Sequence, residues 1–158
     1  MRRASGFTLV ELVVTVAILS VLALGVLPLA ELTVKRGRER ELRTALRQMR
    51  DAIDDFKAAS VAGTIERAAD ASGYPASLEL LVEGVIDRRD PSKRRKIYFL
   101  RRLPRDPMAD DPAARPADTW GLRSYASPPD SPQAGKDVYD VFSKAGGAGI
   151  NGVPYREW

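Results

Sequence analysis

The chain has 158 residues, with 25 basic against 21 acidic side chains and a formal net charge of +4. That length holds one membrane-length segment and one modest domain, and the charge excess is too small to mark a nucleic-acid binder by itself. Cysteine and histidine are both absent, which excludes disulfide staples and thiol chemistry and removes the commonest general base and metal ligand.

Residues 7–30 form a nearly continuous apolar run, broken by Glu11 and by the small polar residues Thr8, Thr15 and Ser20. As a helix the run is about 36 Å long, against a hydrocarbon core of about 30 Å, which predicts a tilted membrane span. Arg2 and Arg3 precede it and place the N-terminus in the cytoplasm; Lys35, Arg36, Arg38 and Arg40 beyond it argue the other way. A secretory signal peptide is cut after its apolar region. Here the candidate junction, Gly6 to Phe7, lies before the run, so the run stays in the mature chain. Glu11 is then a carboxylate in a spanning segment, unfavourable by roughly 2.5–3.5 kcal/mol if unpaired. It needs a partner.

Beyond residue 30, Leu42, Leu46, Met49, Ile53 and Phe56 recur at spacings that make one apolar stripe on a helix. Arg43, Arg47, Arg50, Asp51, Asp54 and Asp55 fill the polar face between them. A single helix is predicted over 8–59, apolar all round in its first half and amphipathic in its second. Pro28 and Gly37 are its weak points. Pro28 removes a backbone donor and can kink the helix, or it is a tolerated membrane-helix proline; sequence leaves both readings open.

Residues 60–73 read as a loop. A short apolar segment follows at Leu78, Leu80, Leu81 and Val82, with Gly84 as its stop. Strands are predicted over 96–100, 122–126 and 138–142, with exposed loops over 108–118 and 127–136. The tail 146–152 is glycine-heavy and ends in Val153-Pro154-Tyr155-Arg156-Glu157-Trp158. The architecture expected is α+β: a long N-terminal α-helix whose outer half packs against a small antiparallel sheet. The helix stripe forms one wall of the core, and Ile97, Phe99, Tyr125, Val138 and Val141 form the other.

Gly6-Phe7-Thr8-Leu9-Val10-Glu11-Leu12, with Arg2 and Arg3 before it and Pro28 after it, resembles the N-terminus of type IV pilins and type II secretion pseudopilins. The resemblance implies a pilin-like fold and cleavage between Gly6 and Phe7 by a prepilin peptidase, followed by methylation of the Phe7 amine. It also implies assembly through Glu11 and Pro28. The regions are then a cleaved leader over 1–6, a transmembrane and filament-core segment over 7–30, an amphipathic helix over 31–59 and a periplasmic domain over 60–158. Tyr74-Pro75, Leu103-Pro104-Arg105-Asp106-Pro107 and Asp137-Val138-Tyr139 resemble the major, G-type pseudopilin more narrowly. That family runs from its Leu-Pro-x-Asp-Pro turn directly into Trp-Gly, whereas residues 108–119 intervene here before Trp120-Gly121. The family's Asp-rich, calcium-holding C-terminal loop is replaced by residues 143–158, with Glu157 as their only acid. Asp130, Asp137 and Asp140 are more often solvated or capping residues than a calcium cage. No cofactor is expected, and a structural calcium is the minority reading.

Arg88, Arg89, Lys93, Arg94, Arg95, Lys96, Arg101, Arg102 and Arg105 crowd one stretch. A solvated loop and a charged strand edge account for them more simply than nucleic acid. Anionic lipid and an acidic neighbouring subunit are the other partners considered. An enzyme is not expected, since no nucleophile motif accompanies the missing histidine and cysteine. The function implied is a structural subunit of a type II secretion pseudopilus. It would be anchored by a single pass in the bacterial inner membrane and polymerise with itself and with other pseudopilins, in contact with inner-membrane secretion components. The alternative is a type IV pilus subunit serving adhesion, motility or DNA uptake.

Overall fold

The computed structural model describes residues 6–158, except for the side chains of residues 23–29. Residues 1–5, Arg2 and Arg3 among them, lie outside the described residues. Two compact units divide the chain, residues 1–37 and 38–158; each is taken by itself.

Helix α1 spans Leu9–Val61. Thr8 stands just before it as the N-cap, one residue later than the start predicted. The helix assignment runs without a break through Pro28 and Gly37, so neither residue ends it, while the Pro28 side chain lies outside the described residues. In the first unit the described apolar side chains find no core: Phe7, Leu9, Val10, Leu12, Leu19 and Val21 are all exposed. Thr15 and Ser20 turn their hydroxyls onto their own helix, at Glu11 O (3.0 Å), Leu12 O (2.9 Å) and Val16 O (2.7 Å). A hydroxyl satisfied in this way presents little polarity to an apolar surrounding. Among the described residues no helix is long and apolar enough to cross a membrane. The tilted span expected over 7–30 is thus not fully borne out by the structure.

In the second unit the periodic stripe is buried as its spacing requires. Leu42, Leu46, Met49 and Ile53 lie in the core with Ile65, Leu78, Leu81, Trp120, Val138 and Val141. Helix α2 (Leu80–Glu83) stops at Gly84. Strands β1 (Val85–Ile86) and β2 (Lys96–Ile97) pair antiparallel, and so do β3 (Trp120–Arg123) and β4 (Asp140–Ser143). Two two-stranded sheets therefore replace the single sheet expected. A 3-10 turn, Pro116–Thr119, leads into β3, and another, Tyr155–Glu157, lies near the C-terminus.

The strand boundaries differ from those predicted for physical reasons. The segment 96–100 keeps only two ladder residues, because Phe99 N and Leu100 N both donate to Leu81 O at 3.0 and 2.9 Å. Tyr98 is thereby left on the outside. The strand expected over 122–126 begins and ends earlier, since Tyr125 N donates to the Asp137 carboxylate instead of a ladder carbonyl. Tyr125 is 62% exposed and is not a core residue. Strand β4 starts two residues after the predicted 138. Met108, placed by sequence in a coreless loop, packs against the core. Within β3–β4, Gly121 faces Phe142, and a Cβ at Gly121 would lie 2.3 Å from that ring. The close approach requires glycine.

Candidate assembly site

The helix start is built from a reciprocal pair. Glu11 N donates to Thr8 Oγ1 at 3.2 Å, and Thr8 N donates to Glu11 Oε2 at 3.5 Å. This is a capping box, in which the N-cap hydroxyl and the carboxylate three residues on satisfy backbone donors the helix leaves free. Glu11 therefore has a local partner within its own chain, which the sequence reading missed although Thr-x-x-Glu before an apolar run is its signature. Phe7 precedes the box and is 82% exposed. Gly6 is exposed too, and a Cβ there would meet no atom within 4 Å. Nothing in the described chain demands glycine at that junction. The structure thus brings Gly6, Phe7 and Glu11 together at one helix end; Pro28 lies further along the same helix, its side chain outside the described residues.

The acids considered for calcium are engaged elsewhere. Asp137 accepts from Tyr125 N at 2.8 Å and from the Ser72 hydroxyl. Asp140 pairs with Arg50 at 2.8 Å and caps Val141 N. Asp130 is exposed. Among the described residues no group of three or more His, Cys, Asp or Glu side chains could hold a metal ion, and the donors present do not fit calcium.

The C-terminal tail is fastened to α1 by side chains. Buried Glu39 accepts from Ile150 N at 2.8 Å and from Tyr155 Oη at 3.2 Å. Burial, and then the Glu39 carboxylate, push the Tyr155 hydroxyl above its ordinary pKa, so it stays a neutral donor. Arg50 also donates to Val141 O at 3.2 Å and Trp158 O at 2.7 Å. The Arg43 guanidinium lies 4.3 Å over the Trp158 ring, which meets Tyr155 edge-on. Gly149 is required beneath that ring, since a Cβ would come within 2.3 Å of it.

The Leu103-Pro104-Arg105-Asp106-Pro107 turn forms a second fastening. Asp106 is buried and accepts from Met108 N (2.8 Å) and Ser143 Oγ (2.6 Å), while its own N donates to Thr119 Oγ1 (3.1 Å). Trp120 Nε1 donates to Pro104 O at 2.9 Å. These bonds bring together the two ends of the intervening segment 108–119. Arg105 closes the segment from inside by donating to the carbonyls of Asp111, Pro112 and Ala114.

The basic stretch resolves into unlike parts. Arg105 is half-buried and engaged with the 108–119 segment, and Lys96 donates to Glu83 O. Arg89 forms a two-point pair with buried Asp87, helped by Arg95, and this pairing holds the Asp87 carboxyl below its usual pKa. Asp90 accepts from Ser92 Oγ and from the N–H groups of Ser92, Arg94 and Arg95, which lowers its pKa to about 2.

Residues 1–27 match the family model described as the prokaryotic N-terminal methylation motif. Over 145 residues the chain is 29% identical to the type II secretion system core protein G of Vibrio cholerae serotype O1, covering 90% of this chain and 81% of that protein. No solved structure matches. Together the two sequence matches bear out the resemblance to type IV pilin-like proteins and to the G-type pseudopilin among them. The long N-terminal helix with small antiparallel sheets is the α+β architecture that goes with it.

Proposed function

We propose that this chain is a structural subunit of a type II secretion pseudopilus, held in the bacterial inner membrane by its N-terminal helix with its C-terminal domain in the periplasm. A prepilin peptidase cuts between Gly6 and Phe7, and the new Phe7 amine is methylated. Subunits polymerise through α1 with other copies and other pseudopilins, in contact with inner-membrane secretion components. Growth of the filament drives protein export across the outer membrane. The reading assigns no catalysis to the chain.

One observation carries the proposal: the first unit exposes apolar side chains on all sides of a helix whose few hydroxyls are satisfied internally. Such a surface belongs in lipid or among other apolar helices, not in water. Glu11 then acts on two occasions. Before cleavage it caps its own helix. After cleavage a neighbour's Phe7 amine, with a reference pKa near 7.7–8.0, offers it a cation. At ~4 Å and an effective dielectric near 20 that attraction is about 4 kcal/mol before desolvation. An out-of-register subunit forfeits it. Similarity to a secretion core protein favours export over a surface pilus.

The test is the Glu11→Ala and Glu11→Gln pair in cells carrying the cognate secretion genes. Processed, N-methylated Phe7 is expected by mass spectrometry in both variants, with filament formation and secretion lost in Glu11→Ala. Normal filaments and export from Glu11→Ala would show that the pairing is not what holds the subunits.

A further inference from the structure

Between residues 87 and 96 lie six basic side chains and two carboxylates, a net of +4 that equals the formal charge of the whole chain. Both carboxylates serve the loop itself. Asp90 is wrapped by Ser92, Arg94 N and Arg95 N, and Asp87 by Arg89. The loop is thereby braced from within, and Arg88, Lys93 and Arg94 are exposed, with no side-chain hydrogen bond or ion pair among the described residues. A rigid tip that holds three unpaired cations together repels itself. Its acids cannot serve as counterions without dismantling the loop.

The same unit carries the opposite arrangement on α1. Asp51, Asp54 and Asp55 are exposed within one turn, at spacings where like charges meet. They accept no hydrogen bond and join no ion pair among the described residues. Beside them Tyr74, Tyr125 and Tyr139 form a cluster with ring centroids 5.0–5.6 Å apart. Asp54 is close enough to add to the rise in the Tyr74 pKa, after burial and Tyr139. Lys57 already lies 4.9 Å over Tyr74 and Arg123 5.0 Å over Tyr139, so these rings take cations on their faces. Tyr125 is 62% exposed, and it borders a groove of about 680 Å³ lined also by Ser124, Lys136 and Asp137.

We propose that the 87–96 hairpin tip of one copy docks its free cations onto Asp51, Asp54 and Asp55 and the adjoining tyrosine cluster of the next copy. The two patches are opposite in sign, and among the described residues no ion pair joins them within one chain. A contact between two different patches of the same chain is head-to-tail, and when its rotation does not close it builds a filament. Opposed charge also fixes register and rejects wrong partners. The inference rests on the filament reading above and adds a contact outside the apolar helix.

Cysteine is absent from the natural chain, so introduced thiols report without background. In full-length protein assembling in cells, Lys93→Cys with Tyr125→Cys is expected to give an oxidised ladder of dimers, trimers and longer species. Lys93→Cys with Glu66→Cys is expected to give none. Reversing the tip (Lys93→Glu with Arg94→Glu) or the receptor (Asp51→Lys with Asp54→Lys) is expected to cut filament yield at least tenfold, and combining all four to restore it. Filaments untouched by either reversal, with no ladder, would overturn this contact while leaving the filament reading standing. A natural chain that forms no filaments in the presence of its secretion genes would overturn both.

Discussion

Asp106 shows how much one carboxylate can organise. Its two oxygens and its own N–H join the proline-rich turn to Met108, Thr119 and Ser143, and it is 1% exposed. Asp106→Ala leaves buried donors without an acceptor, a cost of about 3 kcal/mol. A thermal melt is expected to drop by roughly 10 °C, with Asp106→Asn recovering part of it. Asp90 is the contrasting case, a half-buried carboxylate bonded to four donors within its own loop. Its pKa falls from 3.8 to about 2, so its stabilisation is fully present above pH 3.8 and is lost as pH falls through about 2. Carboxyl-carbon NMR should give a titration midpoint near 2; a midpoint at the ordinary value would mean the loop bonds do not persist in solution.

At the scale of elements, α1 supplies the anchors and the tail supplies the groups that grip them. Glu39 and Arg50 lie about three helical turns apart, and each holds a different part of residues 140–158. Trp158 bridges them by stacking under Arg43 and against Tyr155. Trp158→Ala is expected to cost about 3 kcal/mol and to speed proteolysis within residues 146–157 before the rest of the domain opens. Because side chains do this work, excess chelator is expected to leave the melting temperature unchanged; a fall on adding chelator would mean a metal holds the tail after all. The helix stripe was legible because a 3.6-residue period is local and spans many residues. The strands were poorly legible because each is only two to four residues long. Their ends are set by distant groups, the Leu81 carbonyl for Phe99 and the Asp137 carboxylate for Tyr125, and no local pattern announces these. The Gly6, Phe7 and Glu11 junction was legible as a motif, whereas the capping role of Glu11 with Thr8 was not, because the same carboxylate carries both signals: a charge in an apolar run and the Thr-x-x-Glu helix start.

For the whole molecule, the division at residue 37 separates two ways of hiding apolar surface. Every buried apolar residue of the core lies at Leu42 or later in the chain, and Arg38 opens the unit that contains them. Among the described residues, the core of the second unit is built from that unit's own side chains. A fragment of residues 38–158 is expected to fold alone, as a soluble species with one cooperative melt and dispersed amide resonances. The full chain carries in addition the exposed Phe7, Leu9, Val10 and their neighbours, and is expected to need detergent or other copies to stay dispersed. If the fragment is instead disordered, the helix before residue 38 contributes to the core and the division into two units is not energetic. If the full chain is monomeric and soluble without detergent, its apolar helix has found shelter within the chain, and the premise of assembly through that helix fails.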